Sequence, residues 1–291
     1  MPTQATFELS NITLQAQVWG EPGQTPVLAL HGWLDNSASF ERLAEQLNNV
    51  HLVALDLAGH GQSDHRTPGT PYNIWEDVAD IFAVADQLGW KTFSLMGHSR
   101  GAIISTLSAG TFPDRIGGLM LIDGVLPMFI KASDAPSQLA QSINETRLFS
   151  QKQLRVFESL ESACNARRRG RFRLSQDAAS RLTARGVKTV DGGLSWSSDS
   201  RLMAASAFKL TREHGLAFCR AIKAKAAMVV AVNDSSFAQH YLDLIEDVYP
   251  LLPVEKIEGT HHLHMEEESA QVASIFNQLL DQLPNVEGCP T

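Results

Sequence analysis

The stretch Phe93-Ser94-Leu95-Met96-Gly97-His98-Ser99-Arg100-Gly101 decides the fold. Its first half is a short apolar run, the pattern of a strand buried on both faces. Its second half is Gly-X-Ser-X-Gly, and residues from about 100 to 111 read as a helix. A serine between a strand and a helix sits on a sharp, strained reversal that small neighbours permit. Such a turn lifts the Ser99 hydroxyl above the sheet edge. It also points the helix N-terminus at any negative charge that develops there. Gly-X-Ser-X-Gly is common by chance; at a strand–helix junction it is a specific signal for a nucleophile.

The same alternation extends in both directions. Residues 27–30 (VLAL), 51–56 (HLVALD), 119–123 (LMLID) and 228–232 (MVVAV) are further apolar runs, and 254–259 is a short one. Residues 39–47, 73–88 and 269–283 read as helices. The second carries Ile74, Val78, Ile81, Ala85 and Leu88 on one stripe. Residues 9–19 alternate apolar and polar, as an antiparallel edge strand does. Apolar strands separated by amphipathic helices predict an α/β fold. Its sheet is mostly parallel, of about eight strands, and covered by helices on both faces.

The alternation breaks between residues 125 and 216, which are polar and helix-prone. A long insertion between two core strands predicts a helical cap over the carboxyl edge of the sheet, where open α/β sheets hold their ligands. Residues 1–124 and 217–291 then form the core. The insertion carries Arg167, Arg168, Arg169, Arg171 and Arg173. These read first as a solvated helix face and second as a site for an anionic substrate or partner.

Composition narrows the function classes. The chain has 291 residues, 44% hydrophobic and 19% charged, which excludes disorder for most of its length. With 24 basic and 32 acidic residues the net charge is −8, a poor match to nucleic acid. Cys164, Cys219 and Cys289 form no CxxC pair; reduced thiols in a cytoplasm fit better than a disulfide or zinc framework. The first twenty residues lack the pattern of a signal peptide, and no run reaches the roughly 18 apolar residues of a membrane span. The expectation is a cytoplasmic monomer or homodimer, without nucleic-acid or membrane partners.

Loops at the strand ends hold the other candidates. His31-Gly32-Trp33 reads as an oxyanion loop, in which Gly32 lets the backbone approach a substrate. The backbone N–H groups of Trp33 and Arg100 would be the donors, while the His31 side chain would lock the turn. Leu34, Phe40, His98, Leu126, Met128, Phe129 and Ile130 join Trp33 as candidate walls of an apolar pocket. Residues 56–63 (DLAGHGQS) read as a structural turn. The general base has to come late, from 259–266, which contains His261, His262 and His264. His262 and His264 are two apart with no acidic ligand at the usual spacing, so no metal site is expected.

Taken together, HGWLDNSASF (31–40), DLAGHGQSD (56–64), MGHSRGA (96–102) and EGTHHLHME (258–266) resemble the α/β-hydrolase superfamily over nearly the whole chain. The resemblance is to its serine hydrolase-like branch, related to haloalkane dehalogenases and epoxide hydrolases. It implies that the catalytic histidine lies two residues after a glycine, with an acidic residue five further on, which maps to His261 and Glu266. Haloalkane dehalogenases have aspartate where this chain has Ser99, so their route is excluded. Ala102 replaces a second glycine that many relatives carry. Most members place the triad acid after the later strand, which points to Asp234, here without the usual glycine and one residue short. The dehalogenase-like branch places it after the earlier strand, which points to Asp123, the preferred assignment. The implied activity is hydrolysis of small to medium esters by a Ser-His-Asp triad, without cofactor or metal. C–C bond hydrolase, thioesterase or perhydrolase chemistry, or a catalytically silent binding protein, are the alternatives.

Overall fold

In the central strands neither face is polar. Leu28, Leu30, Val53, Leu55 and Leu95 belong to one buried cluster; their neighbours Val27, Ala29, Leu52, Ala54 and Met96 belong to another. Side chains alternate across a strand, so a strand apolar on both sides must be covered on both. A computed structural model, which describes residues 1–233 and 238–284, meets this demand with an eight-stranded sheet between two layers of helices.

The chain runs β1 (Thr3–Glu8), β2 (Thr13–Trp19), β3 (Thr25–Leu30), α1 (Glu41–Ala44), β4 (Val50–Leu55), α2 (Ile74–Gln87), β5 (Phe93–His98), α3 (Arg100–Thr111) and β6 (Ile116–Ile122). It then leaves the main sheet for α4 (Ala135–Ser150), β7 (Val156–Phe157), α5 (Leu160–Arg168), α6 (Gln176–Gly186), β8 (Val187–Val190) and β9 (Gly193–Trp196). It returns through α7 (Arg212–Ala221), β10 (Lys225–Ala231), α8 (Ala238–Val248), β11 (Val254–Ile257) and α9 (Ser269–Leu280). The order across the main sheet is β1-β2-β4-β3-β5-β6-β10-β11. From β4 to β11 the neighbours are parallel; β1 and β2 form the antiparallel edge. Helices α2, α3, α7 and α8 cover one face, α1 and α9 the other.

Four local differences from the sequence reading have physical reasons. Strand β1 was not expected, because Phe7 is its one fully buried residue and most of the rest face solvent. The edge strand begins at Thr13, not at residue 9: Leu9 donates its backbone N–H to Ile12 O at 2.9 Å, closing the turn between β1 and β2. The helix expected over 39–47 is a 3₁₀ turn, Ser37–Phe40, followed by the single turn of α1.

The fourth difference lies in the segment between β6 and β10. It is not wholly helical, since β7, β9 and β8 form a small antiparallel sheet. The β8–β9 hairpin turns at Asp191-Gly192, where Gly192 has φ 84°, a backbone conformation that favours glycine. Helix α7 crosses the boundary expected at 216/217 and packs on α3.

No described helix is long and apolar enough to cross a membrane. Cys164 and Cys219 are free and buried; Cys289 and Asp234 lie outside the described residues.

Candidate active site

The loops after β3, β5, β6 and β11 converge at the carboxyl edge of the sheet. Ser99 lies between β5 and α3 with φ 50° and ψ −113°, a strained conformation for a residue with a side chain. Its glycine neighbours are required by space. A Cβ on Gly97 would sit 2.4 Å from Gly101 O, and one on Gly101 would sit 1.9 Å from Leu30 O. Both obstacles are backbone and cannot rotate away. Gly101→Ala is therefore expected to abolish the cooperative unfolding transition or lower Tm by more than about 10 °C. Thermal unfolding followed by circular dichroism checks this; a variant melting with the parent contradicts it.

Asp123 follows β6, fully buried, with φ 45°. Its Oδ1 accepts from Ala231 N at 3.1 Å, and its Oδ2 lies 2.6 Å from His261 Nδ1. His261 Nε2 lies 3.0 Å from Ser99 Oγ. An ionised carboxylate only accepts, so Nδ1 carries the imidazole proton and Nε2 presents its lone pair to the serine hydroxyl. The loop carrying His261 is fixed from behind: His98 Nε2 donates to His261 O at 2.8 Å. Phe172, from the segment between β6 and β10, stacks on the imidazole with centroids 4.2 Å apart and planes inclined by 29°.

A second buried cluster supports this one. Asp35, 2% exposed, accepts from His262 Nε2 at 3.1 Å and from the Arg167 guanidinium. Burial works against its charge, yet His262 and Arg167 hold its carboxyl well below the usual carboxylate range. Asp35, His98 and His262 bring three donor atoms within 4.8 Å of one another, a grouping that the spacing argument on His262 and His264 missed. The Arg167 cation already neutralises this carboxylate, which weakens the set as a metal site. Asp56, also buried, takes Ser37 N at 2.8 Å, Gln62 N at 2.8 Å and Arg185 Nε at 2.9 Å. Arg167 and Arg185 thus bind the intervening segment to the loops after β3 and β4.

A cavity of about 410 Å³ opens beside the serine. Of the residues singled out in the sequence, Gly32, Trp33, Leu34, His98, Ser99 and His261 line it. His31 and Leu126 do not. His31 is fully buried; its Nδ1 donates to Gly32 O at 2.8 Å and its Nε2 accepts from Leu57 N at 3.0 Å, locking two loops. Leu126 is part of the core beneath α7, and Phe40 lies in the opposite cluster. Phe129 packs against α7 at Gly215 and Met128 lines a separate cleft. Arg100 begins α3, so its backbone N–H is at the helix N-terminus, while its side chain pairs with Asp77 at 2.5 Å. The sequence reading missed Phe172, Trp196 and Tyr241, which complete the cavity wall. Phe172 and Trp196 are single aromatics in polar stretches, without periodicity to mark them; Tyr241 shares the buried stripe of α8 with Leu244, Ile245 and Val248, so its spacing marks it as core and not as cavity wall.

Five buried histidines predict acid sensitivity. Burial lowers the proton affinity of His31 and His262, and drives that of His60, His98 and His264 well below the ordinary value of 6.5. They remain neutral in the fold where the unfolded chain would take up protons. Stability is therefore full above 6.5 and is lost as pH falls below it, because the unfolded state then binds more protons. Tm is expected to be roughly 5 °C lower at about pH 5.5 than at about pH 7.5. A Tm that is level across this range contradicts the argument.

Comparison with known proteins adds a separate line. Residues 25–267 match the family model described as the alpha/beta hydrolase fold. The chain belongs to the α/β-hydrolase family. Serine hydrolase-like protein 2 of Homo sapiens is 32% identical to it, over 93% of this chain and 92% of the relative. A serine hydrolase-like protein of Danio rerio is 31% identical over 94% of this chain and 86% of the relative. The crystal structure of a hypothetical protein from Pseudomonas aeruginosa PAO1 superposes with a TM-score of 0.91, at 40% identity, covering 96% of this α/β hydrolase and 99% of that chain.

Proposed function

We propose that this α/β hydrolase is a serine carboxylesterase acting through an acyl-enzyme. The observation supporting it is the unbroken series Asp123–His261–Ser99, with separations of 2.6 and 3.0 Å, at the wall of the cavity. Ser99 Oγ attacks the ester carbonyl while His261 Nε2 takes its proton. Asp123 keeps the imidazole in the required tautomer and balances its positive charge. The backbone N–H groups of Trp33 and Arg100 receive the oxyanion; loss of one such donor typically raises the barrier by about 3 kcal/mol. His261 returns the proton to the leaving alcohol, and water then releases the acyl group by the same steps in reverse. No step draws on a cofactor or metal.

Residues 125–216 act in this reading as a cap. Phe172 supports it from one side of the cavity, and so do the Arg167–Asp35 and Arg185–Asp56 pairs that bind the segment to the core. A site of about 410 Å³ favours small to medium esters over long acyl chains. The two buried free thiols suit a cytoplasmic setting. The experiment is a p-nitrophenyl ester series of rising acyl length, with thioester, lactone and epoxide probes beside it. Maximal kcat/KM at short or medium length is expected. Preference for emulsified long-chain lipid, or turnover of no ester, refutes the assignment.

A further inference from the structure

Beside the triad lies a donor set that the esterase mechanism does not use. Asp35 Oδ2 is 3.1 Å from His262 Nε2 and 3.7 Å from His98 Nδ1. One donor atom from each residue lies within 4.8 Å of the other two. The three side chains are buried, yet their residues line the cavity that holds Ser99. The hydrogen bonds of this group do not balance. His98 Nε2 donates to His261 O, so a neutral imidazole has spent its proton there and Nδ1 presents a lone pair. That Nδ1 is buried without a hydrogen-bond partner among the described residues, and it faces a carboxylate oxygen. Two buried acceptors turned toward each other call for a cation between them. The approach to both is kept clear by a glycine: a Cβ on Gly32 would sit 2.8 Å from His98 Nδ1 and 2.9 Å from Asp35 Oδ2. Arg167 takes the other oxygen, Oδ1. It opposes a metal by its charge but does not occupy Oδ2.

We infer that Asp35 Oδ2, His98 Nδ1 and His262 Nε2 bind a divalent metal of the zinc type and that this ion inhibits the enzyme; the inhibition rests on the serine-hydrolase reading of the same site. Two imidazoles and a carboxylate suit zinc. Ligands bound to a tetrahedral ion at about 2.0–2.1 Å stand about 3.4 Å apart, between the two separations measured from Asp35. The proton on His262 Nε2 passes to its Nδ1, which is likewise buried without a hydrogen-bond partner among the described residues. Each ligand neighbours a reacting group: His98 precedes Ser99, His262 follows His261, and Asp35 lies two residues past Trp33. The His98 and His262 rings lie 4.7 and 5.2 Å from the His261 ring. A dication held by both disfavours the imidazolium that His261 becomes when it takes the serine proton. The loss therefore falls on kcat.

The test adds Zn²⁺ to protein first stripped with EDTA and dialysed. Binding is read by competition with the chromophoric chelator 4-(2-pyridylazo)resorcinol and by Tm, and inhibition from kcat on p-nitrophenyl butyrate. The proteins are the parent, His98→Gln, His262→Gln, Arg167→Gln and His214→Gln, the last removing an exposed histidine at the start of α7. In the first two variants the carboxamide is still able to donate to His261 O or to Asp35 Oδ2, while the ligand nitrogen is gone. The parent is expected to bind one ion and to lose kcat by about tenfold or more, restored by EDTA. With Zn²⁺ at roughly a hundredfold excess over its dissociation constant, Tm rises by about 3 °C or more. Mg²⁺, which prefers oxygen ligands, does neither. His98→Gln and His262→Gln each weaken binding by at least about tenfold; His214→Gln leaves it unchanged. Arg167→Gln tightens it by about tenfold, because a competing charge is gone. This variant keeps every ligand, so it decides the matter where a histidine variant fails to fold.

One bound ion that both histidine variants release supports the site even where no ester is turned over, an outcome that refutes only the esterase. Ser99-dependent turnover indifferent to Zn²⁺ refutes the inference and leaves the esterase standing. So does Zn²⁺ binding that His98→Gln and His262→Gln leave unchanged, or that Arg167→Gln weakens.

Discussion

Ser99→Ala is expected to lower ester turnover by about 10⁴- to 10⁶-fold while leaving the fold intact. The side chain makes no capping bond at the start of α3; its hydroxyl faces His261 Nε2. Alanine tolerates φ 50° no better and no worse than serine, so the strain of the turn is unchanged. Tm within about 2 °C of the parent is therefore expected. Initial rates on p-nitrophenyl butyrate, with unfolding curves on the same samples, measure both. Residual activity within tenfold of the parent excludes Ser99 as the nucleophile.

Asp123→Asn is expected to lower kcat by about 10⁴-fold. The aspartate serves two donors in a fully buried site, Ala231 N through Oδ1 and His261 Nδ1 through Oδ2. An asparagine has one oxygen and one NH₂ group. With its oxygen toward His261, the NH₂ meets Ala231 N–H, donor against donor. With the NH₂ toward His261, Nδ1 must accept, and the proton moves to Nε2, which then cannot take the proton of Ser99. Either orientation removes a hydrogen bond or the base. Asp234→Asn is the comparator, expected to change kcat by less than about threefold. The reverse ranking of the two variants assigns the acid to Asp234.

The reading of the sequence was strongest where one physical rule acted alone. Strands β3, β4, β5, β6 and β10 each carry a continuous apolar run because that stretch is buried on both faces, and each run is legible as such. Ser99 was legible because the two glycines flanking its turn are demanded by backbone atoms of Gly101 and Leu30. Strand β1 was not, since an exposed edge imposes no pattern. In the inserted segment, Val187–Val190 and Gly193–Trp196 flank Asp191-Gly192, a local turn signal for the hairpin. The Asp35–Arg167 and Asp56–Arg185 pairs span more than a hundred residues. Nothing local distinguishes such a buried arginine from a solvated one, and the basic cluster accordingly read as surface. The acid was the hardest assignment, because two aspartates follow neighbouring strands and only the three-dimensional path of the chain tells which approaches His261.

The central claim is that Ser99 forms the covalent intermediate, and labelling with a fluorophosphonate tests it most directly. Intact mass followed by peptide mapping should show one adduct, on the peptide carrying Ser99, absent in Ser99→Ala and formed far more slowly in Asp123→Asn. An adduct on another residue, or labelling that persists undiminished in Ser99→Ala, contradicts the account.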